Sequence, residues 1–266
     1  DNGISIDGKT DIATSDDITQ RFLSYGWQVL VCDGHNYGEI DNAISSARED
    51  KEKPSLIRCK TRIGFGSPNK GGTAKIHGAP LGSDEIELTR KELNWQFDPF
   101  ILPTEILEDW RKVGIKGLSK YNDWKSRATS KLDGDKLIRR LNDNYKVDIK
   151  RAISEFKSHL IANPEKVATR VASQKTIEIL LDVYPSLFGG SADLTGSNNT
   201  KVANHSIFSS SNYRGSYVHY GVREHAMAAS MNGLALHGGL TPFGGTFLVF
   251  TDYCRPAIRL SALMQQ

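Results

Sequence analysis

The chain has 266 residues, 38% of them hydrophobic and 24% charged, with a formal net charge of +3. These values exclude a disordered chain, and with no basic stripe they exclude a nucleic-acid partner. No run reaches the roughly 18 apolar residues of a membrane span, and three widely spaced cysteines without metal spacing (Cys32, Cys59, Cys254) suit a reducing compartment, the cytoplasm.

In chain order, "SDDITQRFLSYG" opens on cap-type Ser15 and Asp16. It spaces Ile18, Phe22 and Tyr25 helically and stops at Gly26. "WQVLVC" is a short apolar run and predicts a buried strand. Ile40, Ala43, Ile44 and Ala47 fall at i, i+3, i+4 and i+7 and predict an amphipathic helix. "PSLIRCKT" predicts the next strand, and strand–helix–strand order predicts a parallel sheet with a crossover helix. Residues 62–83 hold six glycines and two prolines and read as a long loop, a feature that is usually functional. Helix resumes with Ser83 as its expected N-cap. Residues 104–162 are polar and helical, with Ile149, Ile153, Phe156 and Leu160 on one face. Gly117, Gly134 and the "KLDGDK" turn are expected to break this stretch, which holds no sustained heptad and reads as an inter-domain connection. From Thr169 the α/β pattern returns: helix, the short strand "LFGG", and the loop "SADLTGSNNT" at that strand's carboxyl end, where open α/β sheets bind ligands.

"YGVREHAM" sets Arg223, Glu224 and His225 at the start of a small, apolar helix. Charged residues are seldom buried unpaired, so this placement asks for a chemical reason. Four motifs occur in order: "CKTRIGFGSPNKGGT", "GGSADLTGSN", "YGVREHAM" and "GGTFLVFTDY". Together they resemble the transketolase family of thiamine diphosphate enzymes, in its bacterial form, and the likeness runs through essentially the whole chain. The resemblance implies an α/β fold of two thiamine diphosphate-binding-type parallel-sheet domains, both incomplete, joined by a helical linker. Residues 1–125 would be the C-terminal part of the diphosphate-binding domain, 126–160 the linker, and 161–266 a pyrimidine-binding domain truncated at its C-terminus. The chain starts without Met, shows no signal peptide, and stops inside an apolar helical pattern, so it is expected to be an internal fragment, inactive alone.

The implied reaction moves a two-carbon ketol unit from a ketose phosphate to an aldose phosphate, with the active site at the interface of a homodimer. The resemblance makes the Asn2 side-chain oxygen and the Ile4 carbonyl ligands of Mg²⁺ or Ca²⁺, hard oxygen donors of the kind these cations take. Ile6 and Ile63 would lie near the cofactor rings, and His77 near the diphosphate and the donor sugar, as a catalytic and substrate-binding residue. Asp193 and Leu194 would contact the cofactor. Arg170 and Ser197 would grip the sugar phosphate, a task that suits a guanidinium. Glu224 matches the catalytic acid. Thiamine must lose the proton on C2 of its thiazolium ring, to a base that is its own 4′-amino group. A carboxyl held against N1′ of the pyrimidine makes that base competent, and burial keeps its proton available. Phe247, Phe250 and Tyr253, every third residue, would wall the aminopyrimidine pocket, while Arg223 and His225 would be structural. The alternatives are sister enzymes such as dihydroxyacetone synthase or deoxyxylulose-phosphate synthase, and a non-catalytic transketolase-like protein. The residues around Glu224 argue against the synthase of deoxyxylulose phosphate, and retention of Glu224, Asn2 and His77 argues against the last.

Overall fold

The computed structural model describes residues 1–130, 134–142 and 145–266. They divide into two compact units, Asp1–Arg111 and Lys112–Gln266. The first begins with a small hairpin, β1 (Ile4–Ser5) antiparallel to β2 (Gly8–Lys9). The cap of α1 (Ile18–Ser24) is Asp17 rather than Ser15 or Asp16: its carboxylate accepts from the Gln20 amide at 3.1 Å. The chain then reverses at Gly26, whose φ of +80° suits glycine.

β3 (Gln28–Asp33), α2 (Tyr37–Glu49) and β4 (Ser55–Lys60) form the expected strand–helix–strand unit, but β3 is buried only at Cys32 and leaves Val31 exposed, since helix α2 covers one face. The strands pair in parallel from Gln28↔Ser55 to Asp33↔Lys60. α2 covers both, and of its four periodic residues Ala43 is fully buried while Ile44 stays half exposed. Beyond β4 the chain is irregular apart from one tight turn at Ala74–Ile76. In α3 (Ser83–Glu92) the cap position belongs to Gly82, at φ +83°, so Ser83 is the first helical residue, and its hydroxyl donates to Asp84 at 3.1 Å.

α4 (Thr104–Ser130) runs unbroken through Gly114 and Gly117, contrary to the expected break at Gly117. A glycine inside a helix costs about 1 kcal/mol, and the surrounding Leu, Glu, Lys and Arg residues outweigh that. Part of the "KLDGDK" turn, residues 131–133, lies outside the described residues, and Gly134 opens α5 (Gly134–Leu141).

In the second unit, α6 (Lys146–Ala162) packs on α7 (Thr169–Val183) through the half-buried face of Ile149, Ile153, Phe156 and Leu160. Tyr145, Tyr184 and Leu187 form a buried cluster, joined by Ile149, Ile177, Leu180 and Phe243. β5 (Leu187–Ser191) is central. After α8 (Thr195–Asn198), β6 (Tyr217–His219) pairs in parallel on one side of β5; after α9 (Glu224–His237), β7 (Thr241–Gly245) pairs in parallel on the other, and α10 (Thr251–Met264) follows. Both neighbours crowd β5 where it lacks side chains. A Cβ on Gly189 would lie 2.0 Å from the Phe243 carbonyl oxygen, and one on Gly190 would lie 1.7 Å from that of Val218.

α9 packs against β7 and α10, with the Met227 and Met231 sulfurs over Gly244. The helix is not buried all round, as its composition suggested. Ala226, Ala229, Gly233 and Leu236 stay exposed, because this unit supplies packing for one face only. Among the described residues, no helix is long and apolar enough to cross a membrane.

Candidate functional site

The loop after β5 is held by neutral hydrogen bonds. Ser191, fully buried, donates to the Gly245 carbonyl at 3.2 Å and accepts from the Leu194 amide at 3.1 Å and Asn198 Nδ2 at 3.0 Å. Tyr217, also fully buried, sets its hydroxyl 2.8 Å from those of Thr195 and Thr200. The Thr200 proton goes to Asn198 Oδ1 at 2.9 Å. A hydroxyl has one proton to give, so Tyr217 donates to Thr200 and accepts from Thr195. These anchors hold Asp193 at φ +60°, a left-handed conformation that is uncommon outside glycine and concentrated at functional sites.

Asp193 and Leu194 then line a cavity of about 390 Å³ with Ala192, Val222, Glu224, Phe250 and Tyr253. Glu224, the first residue of α9, is 8% exposed. It makes no hydrogen bond or ion pair with any described residue. The carboxyl faces the cavity with its hydrogen-bonding capacity unused by the fold, so the cavity suits a ligand group that hydrogen-bonds to it. The helix N-terminus also favours this position for a carboxylate. Phe247, Phe250 and Tyr253 stack in series, with centroids 5.9 and 6.0 Å apart and planes 25° and 27° off parallel. A largely apolar slot with two carboxyls at its wall, exposed Asp193 and buried Glu224, fits a flat heteroaromatic ring carrying a basic nitrogen.

Five of the residues predicted for the cofactor thus share one cavity. Phe247 stacks on Phe250 but lines a neighbouring cavity of about 670 Å³, together with Arg170 and Ser197. Arg170, second in α7, is exposed and makes no hydrogen bond with a described residue, and the hydroxyl of Thr246, which lines the same cavity, is buried without a partner among the described residues. That arrangement suits an anion with several acceptor oxygens. Val222 was not anticipated, although it lies inside "YGVREHAM": its place beside the charged triplet was the available signal, and its exposure shows only in the structure. Arg223 donates to the Tyr220 carbonyl at 3.0 Å, and His225 is exposed.

In the first unit, Asp1 joins the end of β4. Its carbonyl accepts from the Thr61 amide at 3.0 Å, and its carboxylate accepts from Arg58 and Lys60, each at 2.7 Å. Asn2 Oδ1 accepts from the Ile4 amide at 2.9 Å, which fixes that oxygen's direction. No group of three or more His, Cys, Asp or Glu that could hold a metal occurs among the described residues. The Asn2 and Ile4 oxygens fit a hard cation in kind. Two neutral donors fall short of the six or more it takes, so phosphate oxygens or other ligands would have to complete the shell. Ile6 is exposed in the turn of the β1–β2 hairpin. Ile63 and His77 lie at the closed end of the loop, flanking Gly64 and Ile76, which touch: a Cβ on Gly64 would meet Ile76 Cδ1 at 2.3 Å. His77 is exposed, and its ring makes no hydrogen bond with a described residue.

Two side chains that sequence reasoning did not single out hold this loop. His35 accepts from the Arg62 amide at 2.9 Å and stacks on Phe65, with centroids 3.9 Å apart. Glu85 of α3 is buried and accepts from the Ser67 hydroxyl, the Asn69 amide at 2.8 Å, Asn69 Nδ2 at 3.0 Å and the Lys70 amide at 3.3 Å. The Ser67 hydroxyl foremost, then Asn69, holds its carboxyl down at about 2, from an ordinary 4.5. A lowered carboxylate stabilises the fold above its unfolded value and loses that contribution as pH falls toward the folded one. Glu85→Gln is therefore expected to lower the melting temperature at pH 7, with the gap to the parent closing between about pH 4.5 and pH 2. A pH-independent gap in thermal melts would count against this assignment.

Two cavities beside a parallel sheet, one largely apolar with the Asp193 and Glu224 carboxyls and one with the Arg170 guanidinium and the Ser197 hydroxyl, have the chemistry of a cofactor site that would take an aromatic ring and an anion. Residues 1–142 match the family profile described as "Transketolase, thiamine diphosphate binding domain", and residues 165–266 that of "Transketolase, pyrimidine binding domain". The chain belongs to the transketolase family. It is 45% identical over 265 residues to a transketolase of Rhodobacter capsulatus, covering 99% of this chain and 39% of that one. It is 44% identical over 272 residues to transketolase 1 of Escherichia coli, covering 100% and 41%. Among solved structures, transketolase from Leishmania mexicana superposes with a TM-score of 0.87 at 33% identity, over 98% of this chain and 39% of that one. Transketolase from Pichia stipitis in complex with sedoheptulose 7-phosphate gives 0.86 at 35% identity, over 99% and 40%. The chain thus spans about 40% of the length of the relatives it matches.

Proposed function

We propose that this chain carries part of the active site of a thiamine diphosphate-dependent transketolase. That enzyme would transfer a two-carbon ketol unit from a ketose phosphate such as xylulose 5-phosphate to an aldose phosphate such as ribose 5-phosphate or erythrose 4-phosphate. The observation that carries this reading is the carboxyl of buried Glu224, bonded to no described residue and facing an aromatic-walled cavity. When bound, thiamine diphosphate supplies the carbon nucleophile that accepts the ketol unit. Glu224 holds a proton at N1′ of the aminopyrimidine, and Phe250 and Tyr253 keep water from it. Asp193 and Leu194 position the ring. Asn2 and the Ile4 carbonyl contribute oxygens to a Mg²⁺ or Ca²⁺ ion at the diphosphate, with Ile6 and Ile63 against the cofactor rings and His77 near the diphosphate and the donor sugar. Arg170 and Ser197 bind the sugar phosphate. The cofactor is shared in a homodimer, Asn2 of one protomer serving the same molecule as the partner subunit's Glu224. Within this reading, 1–125 is the diphosphate-binding part, 126–160 the linker and 161–266 the pyrimidine-binding part.

The test is conversion of xylulose 5-phosphate plus ribose 5-phosphate by the complete gene product. It should require both thiamine diphosphate and a divalent cation; no turnover with both supplied would sink the proposal. Arg170→Ala separates binding from chemistry. A hydrogen bond to a charged group contributes about 1.5–3 kcal/mol, so KM for a phosphorylated donor should rise about 10–100-fold with kcat little changed. An unphosphorylated ketose should show no such rise. An equal loss for both donors would remove Arg170 from the phosphate site.

A further inference from the structure

We propose that Cys32 and Cys59 form a reversible dithiol–disulfide pair, a site of oxidation within the β3–β4 ladder. The two residues are register partners in adjacent parallel strands, one position before the last pair. Register partners point to the same face of a sheet, and neighbouring strands run about 4.8 Å apart, inside the Cα separation that a disulfide accepts. Their sulfurs are already 3.7 Å apart, with the Cys32 thiol donating toward Cys59. Closing to the bonded distance of about 2.0 Å takes side-chain rotation and no shift of strand register.

The two thiols differ in the way such a pair needs. Cys32 is buried and Cys59 is partly exposed. Burial, then the neighbouring Cys59, pushes the Cys32 thiol up, with Glu39 and Asp33 adding to the effect, so Cys32 stays protonated. Cys59 is the sulfur that meets an oxidant first. With hydrogen peroxide as oxidant, the Cys59 thiolate takes one oxygen and one proton, giving a sulfenic acid and releasing water. The Cys32 sulfur then attacks that sulfur, its proton leaves with the hydroxyl as a second water, and the S–S bond forms. In sum, two thiols and one peroxide give one disulfide and two waters. Cys254 takes no part: it lies buried in the other unit, with its thiol on the Thr251 carbonyl at 3.4 Å.

The bond would fasten the carboxyl ends of β3 and β4 directly before residues 62–83. The test treats the folded, complete gene product with hydrogen peroxide, followed by peptide mapping without reduction. The expected result is a Cys32–Cys59 cross-linked peptide, lighter than its two parts by two hydrogen atoms and released by dithiothreitol. Cys32→Ser should abolish the cross-link and let Cys59 run on to sulfinic acid. Cys59→Ser should leave Cys32 unmodified. Overoxidation of Cys59 in the parent with Cys32 still a free thiol would overturn the proposal, as would a cross-link that forms only after denaturation.

Discussion

Glu224→Ala in the complete gene product is expected to lower ketol-transfer turnover by about 10²–10⁴-fold, the range for loss of a positioned proton donor or acceptor. Its melting temperature should hold. The separation of the two effects follows from geometry. The residue is buried, yet its carboxyl faces the cavity and bonds to no described residue, so removing it breaks no structural interaction. Glu224→Gln is the sharper variant, since it keeps the shape and the hydrogen-bonding reach while removing the carboxyl's acidity. It should be nearly as inactive as the alanine variant. If either retained most of its turnover under saturating cofactor, Glu224 would be a packing residue, and the reading of the cavity would fall with it.

Gly190→Ala is expected to be the most damaging small change in the second unit, costing more than the about 1–3 kcal/mol usual for overpacking. The added methyl would sit 1.7 Å from the Val218 carbonyl oxygen, and that oxygen is backbone, unable to rotate away. Relief requires β6 to separate from β5, breaking the ladder from Gly189↔Tyr217 to Ser191↔His219. Tyr217 would move with β6 and withdraw its hydroxyl from Thr195 and Thr200, so the loop carrying Asp193 would lose its seat. Gly196→Ala is the matched control, because a Cβ there meets nothing within 4 Å. Chemical denaturation should show it within about 0.5 kcal/mol of the parent. Similar midpoints for the two variants would mean that β5 and β6 tolerate spreading.

The regular elements were legible where a local pattern decided them. "WQVLVC", the Ile40 to Ala47 spacing and "PSLIRCKT" became β3, α2 and β4 because apolar period and chain order suffice for a strand–helix–strand unit. Errors arose where glycine was read by rule: Gly117 was expected to end a helix that had enough strong formers to pass through it, and Gly82 took the cap position assigned to Ser83. The residues of the candidate cavity could be named from motifs, but their relations could not. Nothing local shows that Phe247 faces the Arg170 cavity while Phe250 and Tyr253 face Glu224. The Glu85 bonds, 15 to 18 residues long in sequence, and the Cys32–Cys59 register depend on which loop folds back and which strands meet. Tertiary pairing sets these, and no period in the sequence encodes it.

The seating of the loop after β5 carries one more consequence. Ser191, Thr195, Asn198, Thr200 and Tyr217 hold it without a single formal charge. The Asp1 segment of the first unit adds to its backbone bond with Thr61 two ion pairs, with Arg58 and Lys60, both partly open to solvent. Exposed ion pairs weaken as dissolved electrolyte shortens the reach of charge, whereas neutral buried hydrogen bonds do not. A rise in ionic strength is therefore expected to act on the two segments unequally: it weakens the ion pairs at Asp1, next to the proposed cation ligand Asn2, and leaves the seat of the Asp193 loop unchanged.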